Sequence, residues 1–88
     1  MNNTITVDQR VEVISVFKNT RNWSSICLPV KMKYKNQYII FSEIGMKHPT
    51  LKGKRMVHVF DMSDGVNDYR LEFDAESLTW TLIAITES

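Results

Sequence analysis

Tyr69-Arg70-Leu71-Glu72-Phe73 and Leu78-Thr79-Trp80-Thr81-Leu82 flank the turn-forming run Asp74-Ala75-Glu76-Ser77, and both alternate apolar with polar residues. Strand side chains point to opposite faces with period two, so the alternation predicts a β-hairpin. Its apolar face gathers Tyr69, Leu71, Phe73, Leu78, Trp80 and Leu82, and its polar face Arg70, Glu72, Thr79 and Thr81. A lone hairpin is marginal in water and needs further strands against its apolar face.

The rest of the chain supplies them. Residues 10–18 are β-branched and aromatic, with Val11, Val13 and Phe17 on one side and Ile14 and Val16 on the other. Residues 26–35 are extended in pattern, interrupted by Pro29, whose missing amide suits a strand start, a bulge or an edge. Asn36-Gln37 reads as a tight turn into a strand over residues 38–44. Residues 45–54 hold two of the three glycines and Pro49, which predicts a long mobile connection. Strands over residues 55–62, 67–74 and 78–86 complete the set. No window of helical length carries a 3.6-residue stripe; a short helix within residues 4–16 is the competing reading.

The expected fold is therefore all-β, with six antiparallel strands. Several strands are apolar on both faces, which an open sheet with one wet side leaves uncovered. A small closed or half-closed barrel or a two-layer sandwich covers the second face within one chain, and a homodimer packed sheet on sheet covers it between chains. The 88 residues suit a single domain over residues 1–88, with 1–9 as a lead-in free to be flexible.

Composition narrows the class. Hydrophobic residues make up 43% of the chain and charged residues 24%, which is globular and far from the signature of disorder. Cys27 is the only cysteine, so no disulfide forms within the chain, and a reducing, cytoplasmic setting is expected. The first ten residues are polar, and the longest apolar run is Leu82-Ile83-Ala84-Ile85, so neither export nor membrane insertion is expected.

Enzymatic signatures are missing from the pattern. Gly45, Gly53 and Gly65 are too scattered to cradle a phosphate, and Lys52-Gly53-Lys54 lacks the spacing of a P-loop. Cys27 between Ile26 and Leu28 reads as a buried, inert thiol. His48, His58 and Asp61 have no metal-ligand spacing, and His58 beside Phe60 reads as a half-buried strand residue. The reading is a binding module with no catalytic residue, cofactor or metal.

Charge distribution points to where binding would occur. Residues 31–55 hold seven basic side chains, Lys31, Lys33, Lys35, Lys47, Lys52, Lys54 and Arg55, against Glu43 alone. Residues 61–88 hold seven acids against Arg70 alone. Lys31, Lys33 and Lys35 share one face of their strand, and the other cations lie in the expected mobile connection. With Tyr34 or the loop residue Trp23 (beside Arg21) as a stacking platform, this set fits nucleic acid, the lysines tracking phosphates while bases stack on aromatics. The competing readings are a solvated or edge-guarding lysine row, neutralised in part by cross-strand pairs with the acidic C-terminal third, and a protein-interaction or self-assembly module using exposed sheet surface or edges. In the second, Asp64, Asp68, Glu72, Asp74 and Glu76 engage a basic partner or the opposite patch of a second copy.

The run His58-Val59-Phe60 to Asp64-Gly65, then Tyr69-Arg70-Leu71-Glu72-Phe73-Asp74 to Leu78-Thr79-Trp80-Thr81-Leu82, resembles small all-β bacterial domains of unknown function. Val13 to Phe17 and the segment from Pro29 to Tyr38 correspond to their first strands. These are core aromatics and turn formers, so the resemblance implies a fold and carries no active site.

Overall fold

The computed structural model describes residues 3–19 and 25–87. They form seven strands: β1 (Asn3–Asn19), β2 (Ser25–Tyr34), β3 (Gln37–Ile40), β4 (Glu43–Lys52), β5 (Arg55–Ser63), β6 (Asn67–Asp74) and β7 (Thr79–Glu87). All neighbours are antiparallel, in the order β3-β2-β1-β7-β6-β5-β4. Among the described residues there is no helix, and hence none long and apolar enough to cross a membrane.

The hairpin expected over residues 69–82 is β6–β7, with Leu71 opposite Leu82 and Phe73 opposite Trp80. Its loop corrects one expectation. Leu78 adopts φ 58 and lies exposed at the end of the turn instead of joining the apolar face. Asp74 holds this turn, its Oδ1 accepting from the Glu76 and Ser77 amides at 2.9 and 3.3 Å while its carbonyl accepts from Leu78 at 2.8 Å.

The main correction concerns residues 45–54, expected as a mobile connection and found within β4 and its turn. Gly53-Lys54 is a two-residue turn with Gly53 at φ 62, the glycine-first arrangement that closes a hairpin, and it sets Lys52 opposite Arg55. Gly45 is a bulge between the pairs Ile44↔Met62 and Met46↔Asp61; a Cβ there would meet the Asp61 carbonyl oxygen at 3.3 Å. Pro49 is tolerated because β4 is an edge strand. Glycine and proline are here bulge and edge devices.

The strand expected over residues 38–44 is divided at Phe41–Ser42 into β3 and the start of β4. The Phe41 amide donates to Val30 of β2 at 2.9 Å and the Ser42 amide to Ser63 of β5 at 2.8 Å. The two edges of the sheet are thus consecutive in the chain and meet at one corner. Joined end to end, they do not pair side by side, so the sheet stays open: neither the expected closed barrel nor the two-layer sandwich forms.

β1 makes the opposite corner. Residues 3–9, read as a lead-in, are its first half; it pairs with β7 as far as Val11↔Trp80, then with β2 from Glu12↔Lys33 onward. Two irregularities bend it. Asp8, at φ 49, lies where the β7 register shifts, and Val30 is the extra residue of β2 beside buried Pro29.

The inner face of this coiled sheet encloses one core. Met32, Phe60, Leu71 and Leu82 are fully buried, with Phe41, Met62, Tyr69 and Trp80 nearly so. At roughly 1.5–3 kcal/mol for each buried side chain, these residues dominate stability. Trp80 packs on Phe73 and Phe60 at centroid distances of 4.7 and 5.4 Å, and Phe41 meets Tyr69 edge-on at 5.7 Å. Val11, Val13, Tyr34 and Ile39 close the core from the β1–β2–β3 side.

Candidate functional site

Inward packing consumes one face of every strand, and the two halves of the outer face differ. On the β4–β5–β6–β7 half the charges are mutually paired. Lys52 Nζ lies 3.0 Å from Glu72 Oε1, crossing β5 from β4 to β6. Arg55 pairs with Asp74, and its Nε stands 3.8 Å from Glu76 Oε2. Val57 and Val59 lie on this outer face, opposite Asp74 and Glu72, yet are only 5% exposed. Long charged side chains commonly cover apolar surface in this way.

Further along the same face Arg70 holds Asp61 with two hydrogen bonds, Nε–Oδ1 at 2.8 Å and Nη2–Oδ2 at 3.1 Å. That contact raises the Arg70 pKa further, fixing its charge. Around the pair is a shallow concavity of about 540 Å³ whose lining includes Thr4, Glu43, Asp68 and Thr86. The sheet bends here because Ile83 and Gly45 are extra residues of β7 and β4. Glu43 and Asp68 make no ion pair with a described residue.

The β1–β2–β3 half is different. Lys31 and Lys33 share its outer face with Ile40 and Tyr38, their register partners on β3, and with Ile14 and Glu12, their partners on β1. Tyr38 is 60% exposed, with Lys31 Nζ 4.7 Å and Lys33 Nζ 5.9 Å from its ring centroid. Such contacts contribute about 0.5–1 kcal/mol at exposed sites and leave the ammonium groups open to an anion. Neither lysine makes an ion pair with a described residue. Ile14, Val16 and Ile40 are exposed around them.

The seven cations of residues 31–55 are thus dispersed. Lys31 and Lys33 stay together. Lys35 is in the turn, at φ 51 with Asn36 at φ 61, so the turn falls one residue earlier than expected and takes Lys35 off the strand. Its Nζ stands 5.4 Å from the ring of Tyr34. Tyr34 packs against the core, so of Tyr34, Tyr38 and Phe41, the aromatics interleaved with these cations in the sequence, the one on the lysine face is Tyr38 and not the expected Tyr34. Placing the turn at Lys35-Asn36 would have paired Tyr38 with Lys33. Lys47 Nζ points inward, 5.6 Å from the Phe60 ring. Lys52 and Arg55 are ion-paired, and Lys54 is in a turn. Trp23 and Arg21 lie outside the described residues.

The thiol and the two imidazoles lie on three strands, Cys27 on β2, His48 on β4 and His58 on β5. Burial pushes the Cys27 thiol up, only partly offset by a hydrogen bond with Ser15 and the charge of Lys47. A raised thiol is a poor nucleophile at neutral pH. His58 is half-buried opposite Phe73. His48 Nδ1 lies 3.2 Å from Thr50 Oγ1. No group of three or more His, Cys, Asp or Glu among the described residues is placed to hold a metal ion.

Compared with protein-family models, curated proteins and solved structures, the chain matches none. The resemblance to small all-β bacterial domains therefore rests only on the residues quoted for it.

Proposed function

We propose that this chain is a non-enzymatic binding module that takes single-stranded nucleic acid on the outer face of β2 and β3. Tyr38 serves as the stacking platform, Lys31 and Lys33 track the phosphates, and Lys35 borders the site from the turn. One observation carries the reading: an exposed aromatic ring set between two lysines that have no carboxylate partner among the described residues. Every base has a face to stack, so a platform of this kind is tolerant of sequence. The lone Cys27 supports a reducing, cytoplasmic setting.

Fluorescence anisotropy with labelled single- and double-stranded oligonucleotides at two salt concentrations tests the reading. Binding is expected to weaken steeply with salt, by about 0.7 in logarithmic slope for each neutralised phosphate of a single strand. Tyr38→Ala should weaken it about 5- to 150-fold, the equivalent of about 1–3 kcal/mol of stacking. Lys52→Ala should leave it unchanged. No binding at low salt would end the proposal.

A further inference from the structure

The lysine face has a second character that nucleic acid does not use. Ile14 on β1 opposes Lys31 of β2, which opposes Ile40 on β3, and Lys33 opposes Tyr38, so aliphatic and aromatic side chains flank the lysine row from both sides of the outer face. Ile14 is 53% and Ile40 66% exposed. Exposed apolar side chains gathered on one face mark protein contacts.

The edges do not offer themselves as the contact. β3 is four residues long, and β4 carries the Gly45 bulge, Pro49, Lys47 and Lys52, all devices that discourage strand addition. A partner must therefore approach face-on. It must also bring carboxylates to Lys31 and Lys33. The chain contains such a surface: the concavity around Arg70 and Asp61, where Glu43 and Asp68 lack partners among the described residues and Thr4, Ala84 and Thr86 complete the lining.

We infer that the outer face of β1–β2–β3 docks a second copy of this chain, head to tail, against the acidic concavity of its β4–β5–β6–β7 half. Lys31 and Lys33 of one copy meet Glu43 and Asp68 of the next, and Ile14, Tyr38 and Ile40 are covered. The two patches are different surfaces, so a pair retains one free acidic patch on one copy and one free basic patch on the other. Assembly of this kind runs on to a ring or an open chain. Because Lys31 and Lys33 serve here and in the proposed nucleic-acid site, the two occupants exclude one another.

Sedimentation velocity on the full chain tests this across a concentration series at low and high salt. The expected result is a mass that climbs past the dimer with concentration at low salt and returns to the monomer at high salt. Two neutralised variants sharpen it: Lys31→Gln with Lys33→Gln, and Glu43→Gln with Asp68→Asn. All four positions are outside the core, so urea midpoints should match the parent and certify folding. Each variant alone should be monomeric where the parent assembles. Mixed in equal amounts, they keep one intact basic and one intact acidic patch between them, and the mass should double and stop there. A monomer under every condition would overturn the inference, and if that monomer still binds oligonucleotide, the face belongs to nucleic acid alone. A dimer that neither double variant disrupts would overturn it equally.

Discussion

On β5 and β6 the outward charges find each other; on β2 they do not. Lys52 and Arg55 reach Glu72 and Asp74, while Lys31 and Lys33 lean over Tyr38 with no carboxylate among the described residues in range. The apolar residues follow the same division. Val57 and Val59 are as buried as the core although they face outward, whereas Ile14 and Ile40 stand open. The two halves belong to one hydrogen-bonded sheet and enclose one core. What separates them is whether an acid-rich strand is in reach of the basic one: β6 neighbours β5 and lies one strand beyond β4, whereas β2 lies between β1 and β3, where only Glu12 faces the lysines. A basic surface is spent or available according to its strand neighbours, and the charge count along the chain does not show which.

The largest effect that bears on this contrast is on stability. Leu71→Ala removes a fully buried side chain from the shared core and should cost about 2–5 kcal/mol in urea unfolding. Ile40→Ala should cost within about 0.5 kcal/mol, as exposed positions do. Equal losses would mean that the β1–β2–β3 face is covered in the monomer, and the contrast would fail.

A smaller effect concerns the turn between β5 and β6. Asp64 accepts hydrogen bonds from the Val66 and Asn67 amides, both at 2.8 Å, and from the Tyr69 hydroxyl at 2.9 Å. Burial pushes its carboxyl up, but these donors outweigh it and hold the pKa below the ordinary aspartate value. The sign follows from linkage. A carboxylate depressed in the folded state stabilises above the ordinary carboxylate range, and that stability is lost as pH falls through this range towards the folded value. Tyr69 runs the other way: burial and then Asp64 raise it, so its contribution is present below the ordinary tyrosine range and lost on going alkaline. Asp64→Ala should cost about 1–3 kcal/mol at neutral pH by leaving the buried hydroxyl without its acceptor. Unfolding midpoints from pH 7 to pH 3 should then fall less for the variant than for the parent.

Much of the core was legible because it obeys a period of two. Tyr69, Leu71, Phe73, Trp80 and Leu82 take the inner face as their alternation predicts. Leu78 broke the pattern because a turn residue belongs to no face. The seventh strand was hidden because Gly45 and Pro49 carry the same letters whether they make a loop or a bulged edge, and only the pairing with β5 decides between them. Within the candidate site, Lys31 and Lys33 were legible from alternation alone. Tyr38 was not, since its side depends on a turn register displaced by one residue, and one residue exchanges the two faces of a strand. That the acidic C-terminal third neutralises part of the basic segment through cross-strand pairs was an expectation open to the sequence; which residues pair was not, because Lys52 and Glu72 meet only after two hairpins have formed.

The smallest predicted effect is the most direct test of the contrast. Lys52 is well exposed while Glu72 is largely covered, an ion pair at the wet surface. Pairs of this kind contribute about 0.2–1 kcal/mol, less as salt rises. A double-mutant cycle with Lys52→Ala and Glu72→Ala should return a coupling within that range at low salt. Lys31→Ala should change stability no more than that, since it has no ion pair with a described residue to lose. In oligonucleotide binding the order should reverse, with Lys31→Ala lowering both affinity and the salt slope while Lys52→Ala changes neither. If Lys52→Ala weakens binding as much as Lys31→Ala does, the ion pair opens to the ligand, and the division between spent and available charge gives way to a single basic surface wrapping from β2 to β4.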